Sequence, residues 1–207
     1  IETGKGFYKK YDKSGHLIQE KTENALTSYY LSGNKKKEEK GDTITRYKDN
    51  KEGSIESTYD KSTKETLFYD SKMNIIKRET SAGNIIQYFK DKTVTTNSNG
   101  TITTEFLNGD MRIDKITGSY EIINKNGYRK RKSMNGDTDI TYLSGIRYSK
   151  SMNGVININY PDGYRYSKDM MGGITITGPG YLYTKDMMGN VTKHGINKSK
   201  YVMGHHK

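Results

Sequence analysis

Cysteine and tryptophan are absent from this chain of 207 residues, proline occurs only twice, and hydrophobic residues make up only 31%. Without cysteine there is no disulfide framework and no thiolate metal site, which excludes the small disulfide-stapled class of secreted domain. No apolar run approaches the roughly 18 residues of a membrane-spanning helix. The opening stretch IETGKGFYKKYDK also lacks the apolar segment of a signal peptide. Numbering that begins at Ile1 rather than Met leads us to expect a fragment or a processed chain. A mean hydropathy of −0.96 would, taken alone, argue for disorder, because so polar a chain has little apolar surface to set against its conformational entropy.

The usual constellations of catalysis are also missing. The four histidines, His16, His194, His205 and His206, have no second set of ligands at metal spacing, so no metal site is expected. Gly172-Gly173 and Gly178-Pro179-Gly180 lack the strand-to-helix setting of a phosphate loop and read as turns. No Ser/His/Asp set can be assembled. Asp137 and Asp139 share a face of one strand, but Arg129, Lys130, Arg131 and Lys132 run opposite, and cross-strand charge pairing accounts for them. The expectation is a non-enzymatic protein without a cofactor.

What is present is a ruler. From Gly100 to Gly172 a glycine falls at every ninth position, usually after Asn, Asp, Thr or Ser. Asn-Gly and Asp-Gly tolerate the positive φ of a tight hairpin turn, so each mark reads as a turn and each interval as a strand. The prediction is all-β, a long antiparallel meander of strands about nine residues apart. With Asn153-Gly154 as a two-residue turn, Met152 would face Val155, Lys150 would face Asn157 and Tyr148 would face Asn159. That register sends Tyr148 and Ile158 to opposite faces. A sandwich gathers its apolar residues on one inner face, so alternation of this kind predicts a single layer with a modest apolar stripe on each side. A β-solenoid is the alternative. Cross-strand pairs would then carry much of the stability usually left to a core, at about 0.2 to 1 kcal/mol each.

The rhythm divides the chain into an irregular N-terminal part of the meander over 1–82, a regular part over 83–192 and a flexible tail over 193–207. Asp70-Ser71 and Met73-Asn74 lie too close together to be separate turns around full strands, so a long loop, bulge or irregular strand is expected near 60–75. The run KKKEEK over Lys35–Lys40 is consistent with a helical patch, but strand fits the surrounding phase better. Charge is uneven. Residues 120–207 carry 14 Lys and Arg against 6 Asp and Glu, a net +8 of the total +11. A basic half suits an acidic partner such as a tubulin surface, a nucleic-acid backbone or an anionic membrane. Lysines that keep sheet faces and edges from aggregating would give the same composition. Tyr128-Arg-Lys-Arg-Lys132 and Tyr164-Arg-Tyr166 mix basic and aromatic residues as single-strand binders do, but no groove accompanies them.

The run Thr101-Ile-Thr-Thr-Glu-Phe-Leu-Asn-Gly-Asp-Met-Arg112, followed by nine-residue strands ending in Asn-Gly or Asp-Gly, resembles the T-complex-protein C-terminal, or G-box, domain of the CPAP centriole protein family. Phe106-Leu107-Asn108-Gly109 and Tyr160-Pro161-Asp162-Gly163 come near that family's Phe-Pro-Asn-Gly spelling, while Ser133-Met134-Asn135-Gly136 and Ser151-Met152-Asn153-Gly154 depart from it. The resemblance implies a free-standing single-layer sheet acting as a scaffold in centriole or basal-body assembly in the cytoplasm. It also implies capture of a proline-rich peptide from a STIL-like partner on one face, and end-to-end self-association through edge strands. Carried over by motif position, the peptide-facing residues are Phe106 and Ile122. A weaker resemblance to bacterial YD-repeat proteins, through Lys10-Tyr11-Asp12 and Phe68-Tyr69-Asp70, implies instead a spacer, shell or fibre at a bacterial or phage surface.

Overall fold

A computed structural model describes residues 2–4 and 6–195; the predicted tail therefore lies outside the described residues from 196 onward. The described residues form 22 strands and no helix. They fall into two compact units, 1–104 and 105–207. Unit 1 holds β1 (Glu2–Gly4), β2 (Phe7–Tyr11), β3 (Leu17–Lys21), β4 (Leu26–Tyr29), β5 (Lys35–Lys40), β6 (Thr43–Tyr47), β7 (Ile55–Asp60), β8 (Glu65–Tyr69), β9 (Ile75–Glu79), β10 (Ile85–Tyr88) and β11 (Lys92–Thr96). The unit boundary falls inside β12 (Ile102–Phe106). Unit 2 continues through β13 (Met111–Asp114), β14 (Tyr120–Ile123), β15 (Arg129–Lys132), β16 (Thr138–Thr141) and β17 (Arg147–Lys150). It ends with β18 (Ile156–Asn159), β19 (Arg165–Lys168), β20 (Ile174–Gly178), β21 (Tyr181–Lys185) and β22 (Val191–Gly195).

From β1 to β11 and from β13 to β22 every strand pairs antiparallel with its neighbours in sequence, giving an open single-layer meander. The parallel coil-to-coil pairing of a β-solenoid is not what these strands make. KKKEEK is strand β5, held by Lys35–Glu38 and Lys37–Glu39 ion pairs.

The turns differ from the two-residue prediction. At 151–155 the Ser151 N–H donates to Val155 O at 2.9 Å and the Gly154 N–H donates to Ser151 O at 3.0 Å, with Gly154 at φ 87°. That is a three-residue loop, a type I turn closed by a left-handed glycine. The same pair of bonds recurs at 106–110, 115–119, 124–128, 133–137, 142–146, 160–164, 169–173 and 186–190.

One residue of loop length moves the register by one and so reverses faces. Tyr148 opposes Ile158, Lys150 opposes Ile156 and Ser149 opposes Asn157. The expected alternation of apolar residues between the two faces is therefore wrong for unit 2. From β16 to β20 the apolar strand residues share one face and the other face is polar, while Met111, Ile113, Ile123 and Leu182 lie on that second face.

Unit 1 is less uniform. Its turns include two-residue loops at Glu23-Asn24 and Gly41-Asp42 and a four-residue loop between Asp60 and Glu65. The crowded marks at 70–74 are a single three-residue turn in which Met73 takes the left-handed place of glycine, at φ 64°. A register shift occurs just before Tyr11, Tyr29, Tyr47 and Tyr69. Each shift leaves one residue of the next strand unpaired, a β-bulge that bends and twists the ribbon.

Candidate functional site

In unit 2 the register builds a continuous row on one face: Ile140, Tyr148, Ile158, Tyr166, Ile176 and Tyr183, each directly opposite the next. Tyrosine and isoleucine alternate, as β-branched and aromatic neighbours prefer on a pleated surface. Ile176, near the end of the row, is 8% exposed and is the one buried apolar side chain among the described residues. Burial, and then the neighbouring Tyr160, raises the Tyr166 pKa above that of a free phenol, and burial, followed by the Asp162 charge, does the same for Tyr160. Alongside runs a second row nearer the turns. There the Tyr128 and Tyr142 rings meet edge-on at 6.1 Å, and the Tyr164 and Tyr181 rings lie 6.5 Å apart.

Gly178 sits between Tyr164 and Tyr181 in that second row, opposite Tyr181. A Cβ at Gly178 would fall 2.4 Å from the Tyr164 ring. The missing side chain is what lets the ring lie across the strand and reach its neighbour. Pro161 packs in the same way against Gly145, where a Cβ would meet its ring carbon at 3.1 Å.

The opposite face of the same strands is hydrophilic except at Leu182, which stands opposite Thr177. Arg147, Asn159, Arg165 and Thr177 form one row, and Asp139, Ser149, Asn157, Ser167, Thr175 and Thr184 another. From β16 to β20 the sheet is thus two-faced while remaining a single layer.

Phe106 ends β12 and is 38% exposed. Its N–H donates to Asp110 O and its carbonyl accepts from the Gly109 N–H, both at 2.9 Å, closing the first turn of the unit. Ile122 is half-buried and lies between Arg112 and Lys130. By strand alternation Phe106, Asp110, Arg112 and Ile122 share one face, in line with the Tyr/Ile row. The Arg112 guanidinium is held over the Tyr120 ring at 5.1 Å and bridges to Asp114 at 2.7 Å. That bridge lowers the Asp114 pKa below the usual carboxylate range.

The four basic residues of β15 are split by the pleat. Arg129 and Arg131 project on the polar face, where Arg129 is ion-paired with Glu121 and Arg131 stands between Glu121 and Asp139. Arg131 also lines a shallow depression of about 240 Å³ with Ile113 and Glu121. Lys130 and Lys132 lie on the other face, Lys130 between Ile122 and Ile140. Sequence reasoning missed the Tyr/Ile row itself. Its signal was the near-18-residue recurrence of Tyr148, Tyr166 and Tyr183, which needed the correct loop length to become a row.

Among the described residues no group of three or more His, Cys, Asp or Glu is placed to hold a metal, and no helix is long and apolar enough to cross a membrane.

No family model matches the chain, and no curated protein matches it. Solved structures do. The TCP10 domain of Danio rerio CPAP in complex with a peptide of STIL superposes with a TM-score of 0.59 at 17% identity, over 92% of this chain and 99% of that one. The same domain without the peptide gives 0.49 at 14% identity, over 95% and 99%. The TCP10c domain of Drosophila melanogaster Sas-4 gives 0.47 at 16%, over 73% and 99%. The fold of this chain is the open antiparallel meander of the TCP10, or G-box, domain.

Proposed function

We propose that the chain is a non-enzymatic scaffold module that captures a proline-rich segment of a partner protein across the Tyr/Ile face of unit 2, with Phe106 and Ile122 at the N-terminal end of the site. The observation that supports this reading is the unbroken row from Ile140 to Tyr183 on a face without a second layer of its own unit. In that row the tyrosines stand two strands apart, about 9.6 Å at the usual strand spacing. A polyproline II helix repeats every three residues, about 9.3 Å. A proline-rich peptide lying across the strands would therefore set every third residue against the same kind of tyrosine, the aromatic-groove mode of proline recognition.

The neighbour of similar fold was solved with a peptide of STIL, which agrees with a partner of the STIL class and with a place in centriole or basal-body assembly. Two lesser contacts belong to the same proposal. The outer edge of β22 offers main-chain groups for end-to-end association, since β22 pairs only with β21 among the described residues. Arg131, exposed on the polar face, suits an acidic surface such as that of tubulin.

The test is a proline-rich peptide array probed with the whole chain. Binding is expected, with spacing Pro-x-x-Pro preferred over Pro-x-Pro. Tyr148→Ala, Tyr166→Ala and Phe106→Ala should each weaken binding several-fold, and Asn157→Ala on the polar face should not. An array without binders, or binders indifferent to all three substitutions, would overturn the reading.

A further inference from the structure

The meander gives unit 2 two long sides made of turns, and the two differ in chemistry. The turns at 133–137, 151–155, 169–173 and 186–190 follow one another two strands apart and so lie along one side. Their tips carry Met134, Met152, Met170, Met171, Met187 and Met188, which are between 62% and 83% exposed. Ile116, at the same loop position in the preceding turn on that side, is 79% exposed. Isolated exposed apolar residues need no explanation, but a row of them at one repeated position marks an interaction site.

The strand entering each methionine turn ends in an exposed lysine: Lys132, Lys150, Lys168 and Lys185. The other side lacks this pairing. Its turns carry Leu107 and Leu143, and the strands that enter them end in Phe106, Ile123, Thr141 and Asn159.

The methionine loops are also held in place. The Asp137 carboxylate accepts the Met152 N–H from the next turn at 2.7 Å. Asp169 accepts the N–H groups of Met171 and Gly173, and Asp186 those of Met188 and Asn190, at 2.8 to 2.9 Å. The carboxylates on this side are thus turned onto backbone amides, while the lysine ammoniums stand at the surface.

We propose that this methionine-tipped, lysine-backed side is a docking edge for an anionic lipid surface. Flexible thioether side chains at the loop tips would enter the headgroup region, and the lysines behind them would meet the lipid phosphates and carboxylates. Apolar insertion backed by cationic anchors is the general design of interfacial binding. Lys150, Lys168 and Lys185 project on the Tyr/Ile face in the row nearest these turns, so the lysines border that face while the methionines lie in the turns beyond the strand ends.

The absence of cysteine allows a site-resolved test. Met152→Cys and Leu143→Cys, each carrying an environment-sensitive dye, are mixed as whole chains with vesicles of phosphatidylcholine alone or with about a third phosphatidylserine. The proposal expects a blue shift at position 152 only, with the anionic vesicles only, and affinity at least about tenfold lower in high salt. Replacing Met134, Met152, Met170 and Met187 together by Gln should weaken vesicle binding about tenfold while the sheet's circular dichroism is kept. If that variant does not fold, the dye comparison decides alone. No shift at 152, or an equal shift at 143, overturns the proposal. So does binding of an acidic peptide at this edge without binding of vesicles.

Discussion

The two units share one topology and hold it by different means. Unit 1 relies on polar linkage. Tyr29 donates to Glu20 at 2.9 Å and Tyr47 to Glu38 at 3.2 Å, each reaching nine residues back, and Tyr69 meets Thr58 at 3.0 Å. Seven of the nine ion pairs among the described residues lie there, including the Arg78–Glu65 pair at 2.6 Å. Its buried side chains are Thr27 and Ser57. Unit 2 relies on stacking, an Ile/Tyr row with Ile176 buried at its end. The lesson concerns bulges. Unit 1 shifts register before each of four tyrosines, which breaks any long straight row, and it compensates with local polar pairs. Unit 2 shows no register shift in the pairings from β13 to β22, and that continuity is what leaves its Tyr/Ile row unbroken.

The sharpest way to break the comparison is to spoil the stacking. Gly178→Val should cost about 1 to 3 kcal/mol and separate the Tyr164 and Tyr181 rings, read by urea unfolding. Ile158→Ala, in mid-row, should cost about 1 to 2 kcal/mol, whereas Asn157→Ala beside it should cost less than about 0.5 kcal/mol. Equal losses at 157 and 158 would remove the distinction between the faces.

Acid should separate the units next. Hydrogen bonds from Lys35 and Lys37 hold Glu38 and Glu39 below the usual carboxylate range, and bonds from the Ser32 and Ser62 hydroxyls do the same for Asp49 and Asp60. Stability from such lowered groups is present above their unfolded pKa and is lost as pH falls through the folded one. Amide protection measured by pulse labelling after incubation near pH 3 should therefore fall first in residues 17–69 and persist in 138–185.

The smallest effect is alkaline. Burial, and then the hydrogen bond to Glu20, push the Tyr29 pKa from 10.0 up to about 12. The corresponding stability is complete below pH 10 and declines as pH rises toward 12. Tyr29→Phe should make that decline shallower in a pH series of melting temperatures.

Strand positions and the antiparallel order were legible in the glycine ruler, because a left-handed position every nine residues has few other uses. Loop length was not, since two-residue and three-residue hairpins both place glycine at positive φ. The layer was thus inferred from a face alternation that the true register removes. A one-sided apolar row would ordinarily suggest a sandwich; here it belongs to an open face. Phe106 and Ile122 were placed on one face through motif position. The Tyr148, Ile158, Tyr166 row could not be seen until Tyr148 was set opposite Ile158 rather than Asn159. Nor was Met73 legible as a turn residue, because a methionine in the left-handed region has no sequence signature.

The most direct test of the central claim is side-chain NMR of the whole chain with a bound proline-rich peptide from the array. The account predicts shifts at Tyr148, Ile158 and Tyr166 with Ser149, Asn157 and Ser167 unmoved. Shifts confined to the serine and asparagine face, or spread equally over both, would contradict it.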